Sequence, residues 1–283
     1  MEQRQRLFAK GETPDIVVMT ATPIPRSLAL AMYGDLELSV IDELPPGRQA
    51  IKTAVRASSQ LDRIYSFIDD QIASGAQVYV VYPIIEESEK LNLKPLKLGF
   101  QSIRSRFLDH QVAMLHGRMT AADKEATMQR FKAGEIDILV STTVIEVGID
   151  VPNASIMLII DADRFGLSQL HQLRGRVGRG GRKSYCILVS DKEKDRLELF
   201  AETRDGFEVA ERDLQLRGPG EFLGTRQSGA LRFRFGNIVR DHEFMERARD
   251  AAIEMIEREG VGPAEELVRK LLGAEVTAAA ARD

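Results

Sequence analysis

Short runs of valine, isoleucine and leucine recur along the chain, and most are followed by a stretch with helical spacing. This alternation limits the possible folds more than any other feature. Ile51–Val55, Gln77–Tyr82, Gln111–Leu115, Asp137–Ser141, Ile156–Asp161 and Tyr185–Ser190 read as strands. Gln60–Ala73, Phe100–Leu108, Ala121–Lys132 (closed by Gly134) and Ser168–Arg174 read as helices, and residues 86–97 are polar and loop-like. Strands this apolar, separated by helices, are buried on both sides. The expected fold class is therefore α/β, a parallel sheet flanked by helices. Ligands of such sheets sit at the carboxyl ends of the strands, and the motifs below are expected there.

The flanks depart from this pattern. Asp15–Thr20 reads as a buried strand running into Thr20–Arg26, where Thr22 is a fair N-cap with Pro23 behind it, and a helix through Tyr33 follows. One strand and one helix are too little to stand alone, so they read as the last unit of another domain. Glu43–Gly47, with two prolines and a glycine, is a linker. Beyond Ser190, Lys192–Thr203 and Phe207–Leu216 read as two helices, followed by the glycine-rich Gly218–Gly229. Two further helices near 241–259 and 263–272 precede an alanine-rich end expected to fray.

Among 283 residues, 43% are apolar and 29% charged, which suits a water-soluble chain with substantial cores. No apolar run reaches the length of a membrane span, and the first residues lack a secretory leader. The single cysteine, Cys186, lies in an apolar run and reads as a core residue, so the expected location is cytoplasmic. His110, His116, His171 and His242 are scattered, and no metal site is expected. The net charge of −4 does not suggest nucleic acid, but the arginines are clustered. One group runs from Arg164 to Lys183 and another from Arg212 to Arg240, and a local basic surface is enough to follow a phosphate backbone.

The densest motif is Gln169–Gly180, with Arg174, Arg176 and Arg179 interleaved with glycines. On a helix, Arg176 and Arg179 would share a face, and their guanidinium forks suit bidentate capture of phosphate. A solvated basic helix end is the plainer reading of such a run taken alone. Ser141–Asn153 follows a strand directly. The hydroxyls of Ser141, Thr142 and Thr143 suit an anion, and Asp150 suits a ribose hydroxyl, although a capped helix start without ligand fits equally well. Leu115–Met119, with Arg118, is by itself a glycine turn with an exposed arginine.

The order of these motifs is more specific than any one of them. Thr-Ala-Thr-Pro, the strand ending in Tyr82-Pro83, Leu-His-Gly-Arg, Ser-Thr-Thr followed by Gly-Ile-Asp, and Gln-Leu-Arg-Gly-Arg-Val-Gly-Arg occur in sequence. This resembles the third to sixth signature motifs of superfamily 2 helicases. Asp213–Gly229 resembles the region after the motor in the RecG family of branched-DNA helicases. The related transcription-repair coupling translocases have a similar hairpin but not the Gly-Pro-Gly-Glu and Gly-Thr-Arg-Gln-Ser-Gly wording. The resemblance implies a RecA-like second motor lobe followed by a helical hairpin, a loop and a short helical region. It implies boundaries at 1–42 (tail of a first lobe), 43–53 (linker), 54–190 (second lobe), 191–235 (hairpin and translocation loop) and 236–283 (helical extension).

The resemblance also implies roles. Gln172, Arg176 and Arg179 would face ATP on the other lobe, with the two arginines acting catalytically on the γ-phosphate. Gly148 and Asp150 would lie near the nucleotide. Arg118, Ser141, Thr142 and Thr143 would lie near the DNA backbone. Thr20, Ala21 and Thr22, with Arg217, Arg226 and Gln227, would couple nucleotide state to DNA movement. The implied partners are branched double-stranded DNA, such as forks and Holliday junctions, and a wedge domain and first lobe outside this chain.

The sequence contains neither the phosphate-loop pattern Gly-x-x-x-x-Gly-Lys-Ser/Thr nor an Asp-Glu-x-His/Gln box for magnesium. ATP with Mg2+ would then be held mainly by the first lobe, and the chain alone is expected to be inactive. It reads as the carboxy-terminal portion of a longer helicase. A coupling translocase and a non-catalytic DNA- or protein-binding module remain as alternatives.

Overall fold

The computed structural model describes residues 50–83, 93–142, 150–213 and 241–272, together with positions 17, 19, 39 and 41. Of the expected buried strand at Asp15–Thr20 only Val17 and Met19 are described, and both are exposed. The helix start at Thr20–Arg26, the turn at Glu43–Gly47 and the glycine-rich segment lie outside the described residues.

Among the described residues there are six strands: β1 (Lys52–Arg56), β2 (Gln77–Val81), β3 (Val112–Leu115), β4 (Ile138–Ser141), β5 (Ala154–Ile160) and β6 (Tyr185–Val189). Five helices accompany them: α1 (Leu61–Ala73), α2 (Leu93–Arg106), α3 (Ala121–Lys132), α4 (Leu167–Arg174) and α5 (Lys194–Glu202). The strands form one sheet in the order β1-β6-β5-β2-β4-β3, with every pairing parallel. Central β2 is buried along its whole length.

Alternation along the strands divides the core between two faces. Tyr79, Val81, Leu139, Met157 and Leu188 pack against residues of α3, α4 and α5, including Phe131, Leu170 and Phe200. Val78, Val80, Ile138, Ile156 and Leu158 pack against Ile64, Ile68 and Ile72 of α1 and Leu96 and Ile103 of α2. The chain leaves β2 for α2 on one face and leaves neighbouring β5 for α4 on the other, which makes a topological switch point between them.

Local chemistry explains the boundaries. α1 carries isoleucine at every fourth position, and the chain turns out of it at Gly75, where φ is +88°. α3 starts at Thr120, whose Oγ1 accepts the Asp123 N–H at 3.1 Å. α2 begins seven residues before the expected Phe100, so residues 93–97 are helical and not loop. Pro95 falls in its first turn, where a missing N–H costs no hydrogen bond. Gly99 then faces Tyr82, and a Cβ there would meet the phenol ring at 2.3 Å. β5 begins two residues before the expected Ile156. The remaining ends of the sheet and α1 to α5 differ by no more than two residues.

Beyond α5, residues 206–213 are helical. Helices α6 (His242–Glu259) and α7 (Val261–Leu272) pack against one another. α7 starts before the expected residue 263, again with a proline, Pro263, in its first turn. No described helix is long and apolar enough to cross a membrane.

Candidate functional site

The site grows out of α4. Gly166 precedes the helix, and its N–H donates to Gln169 Oε1 at 3.1 Å. Leu167, Leu170 and Leu173 are buried against the sheet, each contributing about 1.5–3 kcal/mol of apolar burial. With that face fixed, His171 and Gln172 lie on the partly exposed side.

The three arginines that follow have different environments. Arg174 is 5% exposed. Its Nη1 donates to the carbonyls of Phe200 (3.2 Å) and Thr203 (2.7 Å), and its guanidinium stacks 4.2 Å from the Phe200 ring centroid. Burial pulls its pKa down from the usual guanidinium range. Arg174 therefore ties α4 to the end of α5 and does not belong to an exposed phosphate-binding set.

Arg176 and Arg179 do not sit on a helix, as their spacing suggested. α4 ends at Arg174, the Gly175 N–H closes onto His171 O at 3.0 Å, and Gly178 turns the chain at φ +78°. A non-glycine residue in that conformation costs roughly 1–2 kcal/mol. A Cβ on Gly180 would lie 2.3 Å from the Pro152 carbonyl oxygen, so this glycine is needed for the loop to lie against residues 150–153. That contact places Arg179 beside Asp150, with Nη1 donating to Oδ1 at 3.4 Å and Nε donating to Gly175 O at 3.3 Å. Val177, fully buried, anchors the turn between the two arginines.

The Asp150–Arg179 pair is open to solvent, with side chains 57% and 33% exposed. A pair so long and exposed contributes about 0–1 kcal/mol and releases its arginine easily. Arg176 is partly exposed, and both guanidinium groups lie within electrostatic reach of the Tyr79 phenol below. Burial pushes that phenol up to about 12, while Arg176 and Arg179 pull the other way. Nothing in the sequence marks Tyr79 beyond its being the one phenol of β2.

The position of this pair also corrects an expectation. Asp150 precedes β5, and Arg179 precedes β6, so both lie near the amino ends of these strands. A helix following a parallel strand runs back along it, and a motif at its far end returns to the strand's start. Among the described motif residues, Tyr82-Pro83 after β2, Arg118 after β3, and Ser141–Thr142 closing β4 lie at carboxyl ends. Arg118 is exposed on a turn where the Met119 N–H donates to His116 O at 3.2 Å and Lys124 Nζ to Gly117 O at 2.7 Å. Ser141 and Thr142 are buried, and the Ser141 hydroxyl donates to Thr142 O at 3.0 Å. Their hydroxyls are thus withdrawn from the surface that a phosphate would approach. His116 was not singled out from the sequence. Its Nδ1 is buried without a hydrogen-bond partner among the described residues, and burial with Lys97, Arg118 and Lys124 lowers its pKa. Thr20, Ala21, Thr22, Thr143, Gly148, Arg217, Arg226 and Gln227 lie outside the described residues.

Comparison with known proteins gives this geometry its relatives. Residues 59–181 match the helicase conserved C-terminal domain, and residues 203–273 match the model of ATP-dependent DNA helicase RecG, domain 3, C-terminal. Together the two matches take in more than half of the chain. The chain is 51% identical over 261 residues to the ATP-dependent DNA helicase RecG of Synechocystis sp., covering 90% of this chain and 31% of the relative. The chain matches the carboxy-terminal part of RecG helicases. It is 47% identical over 261 residues to the Bacillus subtilis RecG helicase, covering 90% of this chain and 38% of that one. The chain thus spans about a third of the length of these relatives. A solved structure of RecG bound to a three-way DNA junction superposes with a TM-score of 0.66 at 43% identity, over 84% of this chain and 31% of that chain. The sheet and its flanking helices have the RecA-like fold of these helicases.

Proposed function

We propose that residues 54–190 form the second motor lobe, and residues 191–235 the translocation element, of an ATP-dependent translocase that remodels branched double-stranded DNA. Residues 1–42 would close a first lobe and 236–283 would form a helical extension; the linker expected at 43–53 must end sooner, because Lys52 and Thr53 already pair with β6 and so belong to the second lobe. The supporting observation is the glycine-built turn that presents Arg179 to solvent on a weak ion pair, in a chain that matches the carboxy-terminal part of RecG helicases. The match of residues 203–273 to a RecG model favours this reading over a coupling translocase.

ATP with Mg2+, held mainly outside this chain, would supply the free energy of phosphoryl transfer. Arg179 would leave Asp150 for charge developing on the γ-phosphate, with Arg176 and Gln172 beside it, while Asp150 and Gly148 would meet the nucleotide. Arg118 would hold the DNA backbone, with Thr142 and Thr143 reaching it once the β4 turn opens and Ser141 bracing that turn. Thr20, Ala21, Thr22, Arg217, Arg226 and Gln227 would transmit lobe movement to the duplex.

A chimaera in which this chain replaces the matching region of the Bacillus subtilis relative tests the reading. DNA-stimulated phosphate release and junction unwinding are both expected from it. A soluble, DNA-binding chimaera that hydrolyses no ATP would refute the motor-lobe assignment.

A further inference from the structure

β1 is an edge strand and pairs only with β6 among the described residues. The Lys52 N–H donates to Ser184 O at 2.9 Å, and the Ser190 N–H donates to Arg56 O at 3.0 Å. The main-chain groups of Lys52 and Arg56 therefore face β6, and by alternation those of Thr53 and Val55 face outward. The outward Val55 carbonyl accepts Nη1 of Arg56 at 2.8 Å, so the edge is guarded by a movable cation.

A groove of about 900 Å³ runs along this edge between α1 and the end of α5. Ile64, Phe67 and Ile187 give it an apolar lining. Lys52, Arg56, Arg63 and Arg204 also line it, against one carboxylate, Glu202. None of these side chains belongs to the nucleotide or DNA surfaces described above.

We infer that this groove docks an extended acidic peptide, which adds as a strand beside β1 and sets its carboxylates against the four cations. Three features fit one ligand. Outward amides and carbonyls at Thr53 and Val55 suit strand addition, the apolar lining suits alternate side chains, and the cations set the sign of the remaining ones. A nucleic-acid backbone would use the cations but neither the strand edge nor the apolar lining. Arg56, which now caps Val55, would exchange that carbonyl for a peptide carboxylate as the strand arrives.

Fluorescence anisotropy of the 283-residue chain with a labelled peptide of alternating aspartate and valine tests the inference. Saturable binding is expected, with slowed hydrogen exchange at the Thr53 and Val55 amides. The same peptide with lysine for aspartate should not bind. The double variant R56E/R63E should weaken binding by about tenfold or more, and Arg106→Glu on α2 should leave it unchanged. Should the double variant fail to fold, Arg204→Glu carries the same expectation. Equal binding of both peptides would overturn the inference, as would an unchanged affinity in R56E/R63E. Displacement of the peptide by a single-stranded oligonucleotide that R56E/R63E also loses would assign the groove to nucleic acid instead. None of these readouts depends on ATP turnover, so the motor-lobe reading stands or falls separately.

Discussion

At the residue scale, neighbouring arginines do unlike work because one leucine-lined helix decides which of them turn inward. Arg174 continues the buried side of α4 and meets two carbonyls and a ring, whereas Arg179 lies past a glycine turn and meets solvent. Arg174→Ala should lower stability by roughly 2–4 kcal/mol, read as a shift of the urea midpoint at constant slope. Arg174→Lys should recover little, because an ammonium cannot bridge both carbonyls while lying over Phe200. The titrating groups of the core give a second expectation. Burial pushes the Cys186 thiol and the Tyr79 phenol each to about 12. In the unfolded chain they ionise near their ordinary values of about 8.5 and 10. The unfolded form then releases protons that the folded form retains, so stability should fall as pH rises from about 8.5 toward 12. Urea unfolding at two pH values in that window measures this, and Cys186→Ala should flatten the decline.

At the scale of elements, close approach matters more than propensity. Gly180→Ala sets a methyl group against the Pro152 carbonyl, and that backbone cannot yield without moving Arg179. It should cost about 1–3 kcal/mol and reduce ATP turnover in the chimaera, although Gly180 contacts no phosphate. Gly181→Ala, whose Cβ meets nothing within 4 Å, is the matched control. The sheet was legible in the sequence because fully buried parallel strands are apolar throughout and need no subtle period. α3 was legible through its closing glycine, Gly134. The first seven residues of α2 were not, since Pro95 and Gly99 signal a loop when their partners, a helix first turn and the Tyr82 ring, are unseen. The arginine motif was legible as a unit, but its place in a loop near the strand starts was not. That depends on how far α4 runs back along the sheet, which the spacing of three residues does not encode.

At the scale of the molecule, the proposed motor is divided. In that proposal this chain would offer arginines to a triphosphate, and it contains no phosphate-loop pattern of its own. The 283-residue chain alone should release no phosphate from ATP, with or without DNA, in a colorimetric assay. In the chimaera, Arg226→Ala should spare ATP hydrolysis and lose junction unwinding, because its proposed role is to push on duplex and not to meet nucleotide. Equal loss of both activities would remove that role. Arg179 is proposed to act on charge that develops during phosphoryl transfer, and Arg179→Ala in the chimaera isolates that role. ATP turnover and junction affinity should be measured on the same preparation. Turnover is predicted to fall about a hundredfold or more while affinity stays within about twofold. Sustained turnover with weakened DNA binding would contradict it.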